Sequence, residues 1–139
     1  MLGASACGGG DDDDDAYRDD FGQVSERIVS LGEEVGQAIE TAGESTDEEL
    51  ATDFGRFEDE LRDVRADLEG LDPPDDLADE QDELVSAIGP VQASLGDIAQ
   101  AAERSDPEAA RQATIQLVER SRDLRDARVA LARAVRGQD

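Results

Sequence analysis

Thirty-seven carboxylates, one thiol at Cys7 and one phenol at Tyr17 are the groups in this 139-residue chain whose types could do chemistry. Histidine and lysine are both absent, because all 13 basic residues are arginine. Without imidazole there is no His general acid or base, no His metal ligand and no Ser-His or Cys-His nucleophile pair. Without lysine there is no Schiff base. Paired acids could serve glycoside hydrolysis, but that needs a cleft that sets their environments apart. With 37 acids, some pair lies at any chosen distance, so spacing carries no information. A di-iron site of the bundle type takes inward Glu and Glu-x-x-His pairs. No acid falls on the apolar stripes described below, so neither a metal nor another cofactor is expected, and the chain reads as a non-enzyme.

The thiol is informative through its position. The chain opens Met1-Leu2-Gly3-Ala4-Ser5-Ala6-Cys7, followed by Gly8-Gly9-Gly10 and Asp11 to Asp15. A lone Cys cannot make an internal disulfide. Small residues before it suit a signal peptidase that needs a narrow, extended substrate. Ala4-Ser5-Ala6-Cys7 resembles the lipobox that ends a bacterial lipoprotein signal peptide, and the resemblance implies Cys7 as the lipidation site. The pattern departs at Ala4, where Leu is usual. The basic n-region and the apolar stretch are missing. Residues 1–6 therefore read as a signal-peptide remnant. A natural start upstream would place the protein outside the cell membrane, anchored by lipid on Cys7; otherwise it belongs in the cytoplasm. Residues 7–15 hold no apolar side chain after Cys7, so a disordered acidic tether is expected. No segment reaches the ~20 apolar residues of a membrane span.

The elements that carry these groups follow from periodicity. Tyr17, Phe21, Val24, Ile28, Leu31, Val35, Ala38 and Ala42 alternate in steps of four and three. The same rhythm runs through Leu50, Phe54, Phe57, Leu61, Val64, Leu68 and Leu71, and again through Leu77, Gln81, Leu84, Ile88, Val91, Leu95, Ile98 and Ala102. Each set forms one narrow stripe on an α-helix, suited to left-handed knobs-into-holes packing. A fourth helix is less regular. It carries Leu117, Leu124 and Leu131 at heptad spacing, flanked by Ala110, Ala113, Ala127, Ala134 and Val135. Ile115, Val118 and Val129 are expected to widen its apolar face.

The breaks support these boundaries. Ser45 with Glu48, or Thr46 with Glu49, makes a capping box. Gly43 can end the first helix, and Gly137 the fourth. Asp72-Pro73-Pro74-Asp75 stops the second helix. Asp106 caps the fourth with Pro107 in its first turn. Gly89-Pro90 interrupts the third without shifting its phase, which predicts a kink in a continuous helix. All links are short, so residues 16–137 are expected to form an all-α, antiparallel up-down four-helix bundle with coiled-coil-like packing. Gln81 is the polar member of its stripe. It either marks register or, as favoured by its nearness to the Pro73-Pro74 turn, sits partly solvated at the bundle end.

Over Leu68-Glu69-Gly70-Leu71-Asp72-Pro73-Pro74-Asp75-Asp76-Leu77, continuing to Leu84 and Ile88, the chain resembles the helical turn of small lipoproteins of unknown function from high-GC Gram-positive bacteria. Those proteins often carry His near the position of Gln81. The resemblance implies an envelope lipoprotein and no activity. The Arg-only composition fits a GC-rich genome, and the acidity fits a halophile as well.

Charge is unevenly spread. The formal net charge is −24. Residues 105–139 hold seven arginines against six acids, so the remainder carries −25. Nucleic acid is repelled by such a chain. The expected partners are a membrane reached through the lipid on Cys7 and a protein partner or second copy. A soluble acidic protein that binds a basic partner is the alternative. The arginines of the fourth helix are expected to pair with acids on neighbouring helices. Arg133 and Arg136 could instead face anionic headgroups on the membrane side, at about 1 kcal/mol each.

Overall fold

A computed structural model describes residues 9–137, with side chains from Asp14 onward. Four helices follow one another: α1 (Gly9–Glu40), α2 (Asp47–Glu69), α3 (Ala78–Glu103) and α4 (Pro107–Arg136). Short 3₁₀ turns at Ala42–Glu44 and Asp75–Leu77 lie in the first two links. Among the described residues there is no strand. Helices adjacent in sequence pack together: α1 on α2, α2 on α3 and α3 on α4. This is the all-α, up-down four-helix arrangement expected from the short links.

The heptad stripes form the core. Tyr17, Phe21, Val24, Ile28, Leu31 and Val35 of α1 are buried, as are Phe54, Phe57, Leu61, Val64 and Leu68 of α2. The stripe from Leu77, which closes the 3₁₀ turn before α3, to Ala102 of α3 is buried throughout, Gln81 included. Most of a helix's stability in a protein comes from packing its apolar face and not from intrinsic propensity. The shared burial of four stripes is what makes them persist. In α4, Leu117, Leu124, Leu131, Ala113 and Val135 turn inward. Ala99, Ala101 and Ala102 of α3 and Ala113 of α4 are buried small residues, and α3 and α4 pack closely together.

Ile115 and Val118 do not widen the inner face of α4. They are 50% and 44% exposed, while Val129 is half-buried. Their positions fall outside the Leu117/Leu124/Leu131 stripe, and Val118 borders the gap between α4 and α1.

The capping devices are largely as the sequence indicates. Of the two boxes available at the α2 start, Thr46 with Glu49 is used. The Glu49 amide donates to Thr46 Oγ1 at 3.1 Å, and the Thr46 amide donates to Glu49 Oε2 at 3.1 Å. Asp106 caps α4 by accepting from the Ala109 amide at 3.1 Å, with Pro107 in the first turn. Gly137 is the C-cap of α4. Gly43 plays no such part, since α1 ends at Glu40 and Gly43 lies within the following 3₁₀ turn. The α3–α4 link carries a device the sequence does not announce. Ser105 adopts a left-handed φ of 51°. The Ser105 amide then donates to Ala102 O at 3.0 Å and the Asp106 amide to Ala101 O at 2.9 Å. This is a Schellman closure built on a residue other than glycine.

Pro90 lies inside an unbroken α3. Its ring removes one helical donor, yet the buried stripe continues from Ile88 to Val91. At the other end of the chain, the expected disordered tether is corrected in part. The backbone from Gly9 through Asp15 is the opening of α1. A run of acids suits the positive end of a helix dipole, and α1 is held immediately afterwards by buried Tyr17 and Phe21. Cys7 and the signal-peptide remnant lie outside the described residues.

Candidate functional site

Three features are candidates: the thiol, the buried amide of Gln81 and the surface between α1 and α4. Cys7 lies outside the described residues. Gln81 was visible in the sequence as the polar member of its stripe, whereas the α1–α4 surface was not.

Gln81 is not solvated. It is 5% exposed and joins three helices. Tyr17 of α1 donates its hydroxyl to Gln81 Oε1 at 2.7 Å. Gln81 Nε2 donates to Leu68 O at 3.1 Å and to Leu71 O at 3.4 Å. The reason lies in the end of α2. The last carbonyls of a helix lack the regular donor four residues on, Pro73 and Pro74 cannot supply amides, and Leu68 O, which accepts from the Leu71 amide at 3.1 Å, keeps a second lone pair. A side chain with two N–H groups and one acceptor satisfies both these carbonyls and the phenol. The site holds together the α2 end, the α3 start and α1, so its role is structural. Burial pushes the Tyr17 hydroxyl from the usual 10 up to about 12. The neutral phenol is thus favoured in the folded state. Its stabilisation should be complete below pH 10 and be lost as pH rises through about 12. Tyr17 is the single tyrosine in the chain, so tyrosinate absorbance reports it alone. Titration of the folded protein at the ordinary phenol value would contradict the buried contact.

The arginines of α4 do not pair as expected. Two ion pairs join α1 and α2: Arg27 with Asp67, and Arg56 with Glu34 at 3.8 Å. On α4, Arg125 approaches its own neighbour Asp126 at 3.7 Å. Arg120 instead reaches across to α3, donating to Ser94 Oγ at 2.8 Å and to Pro90 O at 3.2 Å. Ser94 is fully buried and is satisfied by this contact. Arg128 donates to Ser25 Oγ of α1 at 3.3 Å. The physical reason is the distribution of acids. They lie on the outward faces of their helices, whereas the faces turned towards α4 are the apolar stripes.

That leaves a cationic lip beside an apolar groove. α1 and α4 make few close backbone approaches. Between them lies a cavity of about 440 Å³. Its floor is Leu61 of α2 with Val91 and Leu95 of α3, and Leu117 and Leu124 of α4 line one wall. Ile28, Val29, Leu31, Val35 and Ile39 line the α1 wall, which is lowered by Gly32 and Gly36. A Cβ on either glycine would meet nothing within 4 Å. Arg122, Arg125 and Arg128 stand on the α4 side, with Glu33 on the α1 side. The volume falls within the range of small-molecule sites. Sequence periodicity missed this site because it scores each stripe alone and not the fit of one stripe to the next. The exposed Val118, one residue from buried Leu117, was the available signal.

No group of three or more metal-ligating side chains occurs among the described residues. None of their helices is long and apolar enough to cross a membrane. No protein-family model, curated protein or solved structure matches the chain.

Proposed function

We propose that this chain is a non-enzymatic lipoprotein of the cell envelope, a helical bundle tethered outside the cell membrane by lipid on Cys7 and serving as a structural or interaction module. The observation that carries this reading is Ala4-Ser5-Ala6-Cys7 followed by the Gly/Asp run. The bundle is compatible with such a role. Its core is filled by heptad side chains, and its one buried amide is consumed by structural hydrogen bonds. Stable anchoring needs more than one acyl chain, which a diacylglyceryl thioether on Cys7 supplies. Arg133 and Arg136 occupy the last turn of α4. The up-down topology returns that turn to the end of the bundle where α1 begins, towards the headgroups.

The test is expression in the source cell from the natural locus with its upstream sequence. Mass spectrometry of the Cys7 peptide should show the thioether-linked lipid. The chain should fractionate with membranes, and Cys7→Ala should release it. Unmodified Cys7 on a cytosolic chain would sink the proposal. That outcome would favour the second reading, a soluble acidic protein that binds a basic partner, for which the −25 outside residues 105–139 is the supporting observation.

A further inference from the structure

The groove between α1 and α4 is an apolar feature that packing leaves unused. A closed four-helix bundle would bring its first and last helices together as tightly as the other pairs. Here the seam is held apart at mid-height, while Arg128 bonds Ser25 at one end. That contact also sets the register. Because the two helices run antiparallel, Val29 lies across from Arg125, and Gly32 across from Arg122. The lining runs from Ile28 to Ile39 on α1, a slot roughly 15 Å long at ~1.5 Å per residue.

We propose that this slot binds a single-chain anionic amphiphile, of which a long-chain fatty acid is the simplest member. The acyl chain lies between the exposed Val29 and Val118, above the buried core side chains beneath them, and its carboxylate meets Arg122 and Arg125 at the lip. The apolar floor explains the chain. The arginines explain the head, since a guanidinium fork matches a carboxylate with two parallel hydrogen bonds. Arg122 has no ion-pair partner among the described residues, and Arg125 has only its sequence neighbour.

Charge selects this occupant over others. The slot is lined by three arginines against Glu33, in a chain whose net charge is −24. An anion is repelled by most of this surface and attracted at the α4 lip. A basic helix or peptide would be repelled by that lip. A second copy would bring two strongly acidic bodies together, a penalty that a small ligand does not meet. The glycines supply room. Gly32 and Gly36 lie on the α1 wall, and the space above them is empty. This site is independent of the compartment in which the protein works.

The test uses calorimetric titration of the full 139-residue chain with dodecanoate below its micelle concentration. Saturable one-to-one binding is expected. The Gly32→Leu/Gly36→Leu double variant should abolish it. That variant fills vacant space and raises helix propensity, so its thermal unfolding should not fall. Arg122→Gln/Arg125→Gln should weaken binding about tenfold or more, and dodecanol should bind wild type more weakly than dodecanoate by a similar factor. Three results would overturn the proposal. One is undiminished binding to the filled variant. Another is equal affinity for the acid and the alcohol. The third is a wild-type dimer, monomeric in the filled variant, that takes up no dodecanoate.

Discussion

Gln81→Glu should destabilise the bundle by about 3–5 kcal/mol at neutral pH, the cost typical of an uncompensated buried charge, and the loss should nearly vanish in acid. The amide donates to Leu68 O and Leu71 O and accepts from Tyr17. A carboxylate keeps the contact with Tyr17 but turns an acceptor towards two acceptors. Protonated, it can still donate to Leu68 O. Its folded-state pKa is therefore raised above the unfolded value. A raised pKa gives stability that is present at low pH and lost as pH rises through the folded value. Urea titrations of variant and wild type at about pH 4 and pH 7 measure this difference directly and cancel the background of the other acids. An equal penalty at both pH values would mean that the side chain is not held by those carbonyls. Gln81→Leu should show a pH-independent loss of about 1–3 kcal/mol, because it leaves the buried Tyr17 hydroxyl without its acceptor.

Leu131→Ala should cost about 2–5 kcal/mol, whereas Ile115→Ala should cost less than about 0.5 kcal/mol. Both are large apolar residues of α4. Leu131 is fully buried, and its truncation leaves a cavity among side chains that cannot close around it. Ile115 is half-exposed and already in contact with water. Chemical denaturation of the two variants distinguishes them. A large loss at Ile115 would show that the outer face of α4 is covered in solution, by a second copy or by a rearranged α1.

The two predictions mark the limits of what was legible in the chain. The first three helices could be read from heptad spacing because a 3.5-residue repeat has one geometric solution with all its apolar groups on one side. The α4 start was legible for a local reason. Asp106 and Pro107 act through their own backbone neighbourhood, within one turn. Continuity through Gly89-Pro90 was legible because phase is preserved across it. Gln81 was placed wrongly because its burial depends on the end of α2, thirteen residues earlier, where Leu68 O accepts from both the Leu71 amide and Gln81 Nε2. The arginines of α4 were assigned partners from net charge, but ion pairs need contact, and composition holds no distances. The Asp run was read by composition as a tether. It opens α1 instead, because a helix end tolerates acids that a helix interior could not justify.

The sequence by itself determined the class, the number of helices and their up-down order, because periodicity, caps and short links are local and each constrains the next. It also excluded imidazole and lysine chemistry outright, and it located the one thiol. Only the tertiary structure decided how the stripes meet. It made Gln81 the clasp between α1, α2 and α3, left Ile115 and Val118 on the outside, and sent Arg120 to α3 in place of an acid. It also left the α1–α4 seam open over an apolar floor with arginines at its lip. Burial and vacancy are properties of several helices at once, set by whether the volumes on facing stripes fill the space between them, and no single stripe contains that information.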